Sequence, residues 1–251
     1  MRLISYNVNG IRAAHRKNLI SWIEAAQPDI LCLQEIKATE DQIPVDDFTS
    51  LGYHCHWFSA QKKGYSGTAI LTKAKPHQVK KGIGVDYIDE EGRVIQVDMG
   101  EYTVINAYFP SGSTPERQAI KMRFLSDFKH YISDQLNKNI NLIVTGDFNI
   151  CHRHIDIHDP IRNAHSPGFL PEERAWLTDF FNLGFVDAFR AHNPEPNQYT
   201  WWSYRANARA NNKGWRIDYC AISSALEPQL KRCVHLPETH HSDHCPVLME
   251  W

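Results

Sequence analysis

The chain has 251 residues, of which 42% are hydrophobic and 22% charged, with a formal charge of −2 at pH 7. No apolar run approaches the roughly 18 residues that span a bilayer, which excludes a helical membrane protein. A near-neutral charge gives no global pull toward nucleic acid, so any such binding must rest on a local basic face.

Apolar, β-branched-rich runs at 3–8 and 30–34 predict the first strands. Between them Leu19, Ile20, Trp22, Ile23 and Ala26 share one helical face, which Pro28 ends. Further strands are predicted at 67–71, 94–98 and 102–108. The longest helix follows: Thr114 is placed to cap it, Pro115 takes its first position, and Ile120, Phe124, Leu125, Phe128, Ile132 and Leu136 repeat at helical spacing. After a strand at 142–145, a third helix starts at Pro171 with Glu172 and Glu173 in its first turn. It buries Trp176, Leu177, Phe180 and Phe181 and stops at Gly184. Strands at 216–222 and 246–249 close the chain.

Strands and helices mix without strict βαβ alternation, which predicts packed sheets flanked by helices. No repeat, low-complexity tract or linker interrupts the pattern, so 1–251 reads as a single domain. The first residues turn polar too soon for a secretory signal, and a cytoplasmic protein is expected. Six cysteines, Cys32, Cys55, Cys151, Cys220, Cys233 and Cys245, are scattered without a C-x-x-C pair and read as reduced, mostly buried thiols.

Polar clusters appear where the strands run out: Asn7-Val8-Asn9-Gly10, Gln34-Glu35, Tyr108-Phe109-Pro110, Gly146-Asp147-Phe148-Asn149, Arg216-Ile217-Asp218-Tyr219 and Ser242-Asp243-His244. Taken singly, an Asp or Asn after a strand is a turn former. Together, six strand ends deliver carboxylates, amides, a His and a Tyr. Metal-assisted phosphodiester cleavage needs that inventory: hard oxygen donors suit Mg²⁺, and a divalent ion offsets the charge that builds on the phosphate.

In order and spacing these segments resemble the exonuclease III and apurinic/apyrimidinic (AP) endonuclease family of the endonuclease/exonuclease/phosphatase superfamily. The resemblance is carried by N-V-N-G at 7–10, L-Q-E-I-K at 33–37, G-Y-S-G at 64–67, G-D-F-N at 146–149, G-F-L-P-E-E-R at 168–174, Y-T-W-W at 199–202, G-W-R-I-D-Y at 214–219 and S-D-H-C-P at 242–246. It implies an α/β four-layer sandwich, two central mixed sheets flanked by helices. It also implies a Mg²⁺-dependent phosphodiesterase, with Mn²⁺ as a substitute ion, that cuts duplex DNA 5′ to abasic sites; whether 3′→5′ exonuclease or 3′-end trimming activity accompanies the incision is left open.

Residue by residue, the resemblance implies Glu35 as principal metal ligand, with Asn7, Asn9, Asp147, Asn149, Asp243 and His244 at or beside the metal. Asp147 would orient or deprotonate the attacking water, Asn149 and Asn7 would hold the scissile phosphate, and Tyr108 would stabilise the phosphate or the leaving group. His244 would contact a phosphate oxygen with Asp218 fixing its tautomer; alternatively His244 paired with Asp218 is the general base.

For DNA, Arg12, Arg16 and Lys17, then Lys62, Lys63 and Tyr65, then Arg205, Arg209, Lys213 and Arg216 form basic clusters next to the catalytic motifs, a phosphate-binding face. By resemblance Trp201, Trp215 and Ile217 form an apolar pocket for a base-less sugar, and Asn163 touches DNA beside it; the competing reading makes both tryptophans core aromatics. The pattern departs from the family at Ser166 and Pro167, where an Asn and a small residue are expected, and at Ser111, which leaves substrate preference open. The histidines of 152–159 and 240–244 match no established zinc spacing, so zinc ranks below Mg²⁺. A non-catalytic DNA-binding regulator on the same fold is the competing functional reading, ranked lower because Glu35, Asp147, Asn149, Asp218, Asp243 and His244 are all present. The expected partner is duplex DNA, with no membrane and a monomeric protein.

Overall fold

The computed structural model describes residues 1–138 and 140–251. Among the described residues the strands are β1 (Arg2–Asn7), β2 (Ile30–Gln34), β3 (His54–Phe58), β4 (Thr68–Thr72), β5 (Gln78–Lys81), β6 (Val94–Asp98), β7 (Thr103–Tyr108), β8 (Leu142–Asp147), β9 (Phe185–Asp187), β10 (Asp218–Ser223), β11 (Arg232–His235) and β12 (Val247–Glu250). The α-helices are α1 (Ile11–His15), α2 (Leu19–Ala26), α3 (Val45–Ser50), α4 (Asp86–Asp89), α5 (Pro115–Leu136), α6 (Pro171–Phe181) and α7 (Ala188–His192). No helix among them is long and apolar enough to cross a membrane.

The strands form two six-stranded sheets, ordered β11-β12-β1-β2-β4-β3 and β5-β6-β7-β8-β10-β9. Each holds one parallel pair, β1 with β2 and β7 with β8, among antiparallel neighbours. Every predicted strand is present. The four that the sequence pattern missed, β3, β5, β9 and β11, are the four sheet edges. β5, Gln-Val-Lys-Lys, is mostly exposed and carries no apolar alternation, whereas β4, β7 and β8 are buried along their whole length.

Three layers of core make the sandwich. Between the sheets Leu3, Ile30, Cys32 and Ile70 meet Ile95, Val104, Ile143 and Ile222. Outside the second sheet, α5 and α6 bury Phe124, Phe128, Trp176 and Phe180 around Phe109 and Phe148, which stack with centroids 4.4 Å apart. Outside the first, Ile11, Leu19, Ile23 and Phe48 cover Tyr6 and Leu33. The helix reading holds locally: the Thr114 side chain accepts from Arg117 N–H at the start of α5, and α2 stops at Gln27, a left-handed residue before Pro28. Five of the six cysteines are buried and all six are free thiols.

Strand register decides where the polar strand ends meet. In the parallel pairs Asn7 lies beside Gln34 and Tyr108 beside Asp147. In the antiparallel pairs Asp218 lies opposite Asp147, and Val247, three residues after His244, lies opposite Ser5. Chain ends of opposite direction are thereby gathered on one rim of the two sheets. A buried polar link ties the sheets directly behind that rim: Gln34 donates to Asn106 Oδ1 (2.7 Å), and Asn106 donates to the carbonyls of Leu33 and Ala69 (2.8 Å each).

Candidate active site

The rim is built from tight turns that leave the strands abruptly. Asn9, Glu35, Lys37 and Asn149 all have left-handed backbone, with φ of 45°, 51°, 49° and 52°. Asn tolerates this conformation, but Glu35 and Lys37 adopt it at a cost, a feature that clusters at functional sites. The turn at 35–36 is held by Gly10 N–H and Ile11 N–H donating to the carbonyls of Glu35 (2.7 Å) and Ile36 (2.9 Å).

At the centre Asn7 bridges two carboxylates, its Nδ2 donating to Glu35 Oε1 (2.8 Å) and Asp147 Oδ2 (2.9 Å). Its carbonyl accepts from Asn9 N–H (3.0 Å), so the amide nitrogen faces the acids. Lys37 Nζ stands 2.7 Å from Glu35 Oε2 and donates to Asn9 Oδ1 (2.6 Å). Asn9 in turn donates to Asp243 Oδ1 (2.9 Å). Asp147 accepts at Oδ1 from Asn149 N–H (2.8 Å) and at Oδ2 from the Asn149 amide (3.2 Å). His244 Nδ1 is 2.9 Å from Asp218 Oδ2, which turns Nε2 to within 3.9 Å of Asp147 Oδ2.

Burial pushes the Asp147 carboxyl well above the usual range, and the nearby Asp218 and Glu35 charges add to it against the opposing pull of His244. Burial alone would lower His244, yet Asp218 and Asp147 outweigh it and hold the imidazole protonated well above its ordinary range. Burial raises Asp243 too, but His244 and the donors from Trp201 and Asn9 reverse the shift. Tyr108, at the end of β7, is pushed up by burial and stays a phenol; its ring packs 4.8 Å from the Arg93 guanidinium.

Donor atoms of Glu35, Asp147 and His244 lie within 4.8 Å of one another. Two carboxylates, one of them buried among further acids, suit a hard divalent cation. Of the seven residues expected at or beside a metal, these three bring their donors together. Asn7 and Asn149 hydrogen-bond to these carboxylates directly, and Asn9 and Asp243 form the next ring.

The same cleft, about 560 Å³, has an apolar side formed by Pro167, Trp201, Trp215 and Ile217. Trp201 and Trp215 meet edge to face at 6.0 Å and both are half-buried, so neither is a closed core residue. Trp201 Nε1 donates to Asp243 Oδ2 (3.0 Å), which joins the apolar side to the acidic one. Thr200 Oγ1 accepts from both Ile217 N–H and Asp218 N–H (3.1 Å each), so the Y-T-W-W segment fixes the pocket and the His244 partner together.

Residues 4–244 match the model of the Endonuclease/Exonuclease/phosphatase family. The chain is 42% identical over 98% of its length to an exodeoxyribonuclease of Bacillus subtilis, covering 98% of that protein. It is 37% identical to a DNA-(apurinic or apyrimidinic site) endonuclease of Dictyostelium discoideum, over 98% of this chain and 69% of the relative. This chain belongs to the exonuclease III and AP endonuclease family. Among solved structures, a 3′-5′ exonuclease from Neisseria meningitidis superposes with a TM-score of 0.91 at 30% identity, covering 100% of this chain and 99% of that one.

Within this family member the expected DNA contacts fall into two groups. Arg12, Lys17 and the Tyr65 turn lie on the surface, Lys17 donating to the His241 carbonyl (2.9 Å). Others are turned inward. Arg209 donates to the carbonyls of Ser242, Pro237 and Thr239 and packs on Trp202, pinning the loop before Asp243. Asn163 closes its own loop on the carbonyls of His158 and Asp159. Arg216 leaves the predicted basic face altogether: it is fully buried against Asp156 and Asp187.

Sequence reasoning missed the support of Tyr65, whose hydroxyl accepts from Arg93 (3.1 Å) and Arg117 (2.6 Å) beside Glu91. It also gave no role to Lys37, although L-Q-E-I-K contains it, or to Lys121. The signal for Lys121 was present: it falls on the stripe of Phe124, Leu125 and Phe128, a charge on a buried helix face.

Proposed function

We propose that this chain is a Mg²⁺-dependent hydrolase that cuts the backbone of duplex DNA 5′ to abasic sites, with one catalytic domain over 1–251. The convergence of Glu35, Asp147, Asn149, Asp218 and His244 on one rim, facing an apolar pocket across a single cleft, carries the reading. Likeness over nearly the whole chain to proteins named exodeoxyribonuclease and AP endonuclease supports it.

Glu35 and Asp147 would hold the ion, with Asn7 fixing their mutual orientation. When bound, a divalent ion supplies charge neutralisation at the phosphate and its leaving oxygen. Asp147, held by Asn7 and by the Asn149 N–H, would orient the attacking water or take its proton. His244, kept cationic by Asp218, donates to a non-bridging phosphate oxygen rather than acting as base. Tyr108 offers its phenol, and Asn149 its amide, to the same group. Pro167, Trp201, Trp215 and Ile217 receive a deoxyribose without its base, and a normal nucleotide is excluded by size and by the cost of unstacking it.

The test is incision of a duplex bearing one abasic-site analogue, with Mg²⁺, with Mn²⁺ and with EDTA, by wild type, Glu35→Ala and Asp147→Asn. Metal-dependent cutting immediately 5′ to the analogue, lost in both variants, is expected. Tight binding without cutting under either ion would instead identify the non-catalytic regulator. A duplex labelled at an undamaged 3′ end, run in parallel, tests for the 3′-5′ exonuclease activity for which the Neisseria relative is named.

A further inference from the structure

Helix α5 turns a lysine into the protein. The Lys121 side chain is wholly enclosed, its ammonium 2.6 Å from Glu173 Oε1 and donating to the Asn149 carbonyl at 2.8 Å. Glu173, on α6, is equally enclosed. It accepts from Gln118 Nε2 (3.1 Å) at Oε1 and from Gly168 N–H (2.6 Å) and Leu170 N–H (3.0 Å) at Oε2. Only donors face it, which suits a carboxylate. Burial pushes the Lys121 ammonium below its usual range, and Glu173 opposes that.

Neither residue lines the cleft. A buried ion pair is also poor evidence of stability, since apolar residues of similar volume serve as well or better. What this pair holds is backbone. Asn149 is the left-handed turn whose N–H and amide orient Asp147, so fixing its carbonyl fixes the Asp147 carboxylate. Gly168 is the second segment, with φ of 94°; a Cβ there would stand 2.9 Å from the Trp215 ring and 3.1 Å from the Asn149 carbonyl oxygen. The Gly168 carbonyl accepts from Cys151 N–H (2.7 Å), and Pro167 before it lines the cleft. One ion pair therefore grips the catalytic turn on one side and the pocket wall on the other.

We propose that the buried Lys121–Glu173 pair is a positioning device that sets the catalytic turn of Asp147 and Asn149 against the sugar pocket of Pro167 and Trp215, so that rate and selection of abasic substrate both depend on it. The inference rests on the nuclease reading of the cleft.

The decisive variant is Lys121→Met/Glu173→Leu, which removes both charges and keeps the interior apolar, separating folding from positioning. Its Tm should fall, because Gly168 N–H, Leu170 N–H and the Asn149 carbonyl lose their partner, but circular dichroism should show it folded at the assay temperature. Its kcat on abasic duplex should fall by about 10²-fold, the loss that a misplacement of about 1 Å brings, with KM little changed and the preference for abasic over intact duplex reduced. Glu173→Gln, which keeps the volume and one acceptor oxygen, should show a smaller loss of the same kind. The Asn149 amide and Trp215 indole resonances in ¹H–¹⁵N spectra should move in the double variant whether or not DNA is cut. A double variant, or a Glu173→Gln protein, with unchanged kcat, selectivity and resonances would overturn the proposal and leave the pair purely structural. Wild type that cuts no abasic duplex would defeat the nuclease reading alone, because the spectra still report on positioning.

Discussion

His244 shows how a single contact can assign a role. With Nδ1 on Asp218 at 2.9 Å, the imidazole is oriented, favoured as the cation by the neighbouring carboxylates, and aimed by its other nitrogen at the Asp147 side of the cleft. Asp218→Asn keeps the shape but removes the anion that favours the imidazolium, and we expect kcat on abasic duplex to drop by about 10²–10³-fold, the usual worth of one donor aimed at developing charge. Steady-state kinetics with circular dichroism as a folding control would check it; kcat near wild type would remove His244 from the chemistry. Glu35, Asp147 and His244 were legible in sequence as members of polar clusters at strand ends, and the motifs that resemble the family supplied their roles. The inward turn of Arg209 and Arg216 was not, since sequence shows a charge and not its partner. Asp156 and Asp187, the partners of Arg216, lie 60 and 29 residues away.

Among the elements, the segment 214–218 depends on that same buried arginine. Arg216 meets Asp156 Oδ1 (2.7 Å) and Asp187 Oδ2 (2.8 Å), all but Asp187 fully enclosed. Burial raises the Asp156 carboxyl, and Arg216 with Arg190 more than reverses it, holding it far below the ordinary range. Asp156→Asn leaves both arginines short of a charge in the interior and should cost about 3–5 kcal/mol in urea unfolding, as breaking a buried pair does. Loss of the Thr114 cap should cost only about 1 kcal/mol, because the first turn of α5 is exposed and water replaces the hydroxyl. Central strands and long helices were readable from apolar period alone. Edge strands were not, because one flank of each is open to solvent and the period that betrays a strand comes from burial on a face.

At the scale of the whole molecule, an ion held at the acidic rim by Glu35 and Asp147 would make stability depend on it. With Asp147 raised above the usual carboxylate range, its proton must leave before an ion can bind, so ion binding strengthens as pH rises through that raised value and weakens below it. Added Mg²⁺ should therefore raise Tm more at pH 8 than at pH 5.5, with a gain of about 2.7 kcal/mol at 100-fold saturation. Scanning calorimetry at both pH values, with Glu35→Ala as control, would measure this; an equal shift in that variant would move the ion elsewhere. The sequence could not reveal how two sheets bring opposite strand ends to one rim, because Asn7, Asp147 and His244 become neighbours only through register and sheet packing.

The open edges of the two sheets have a consequence for life in a crowded solution. An unpaired strand is a template for another chain, and β5 meets that risk with Lys80 and Lys81, β11 with Arg232 and β3 with His54 and His56. Lys80→Val/Lys81→Thr should leave the cleft and its chemistry intact while lowering the concentration at which light scattering appears on heating. The polar residues that obscure these strands in the sequence are, by this account, what stops the sheets from extending into a neighbouring molecule.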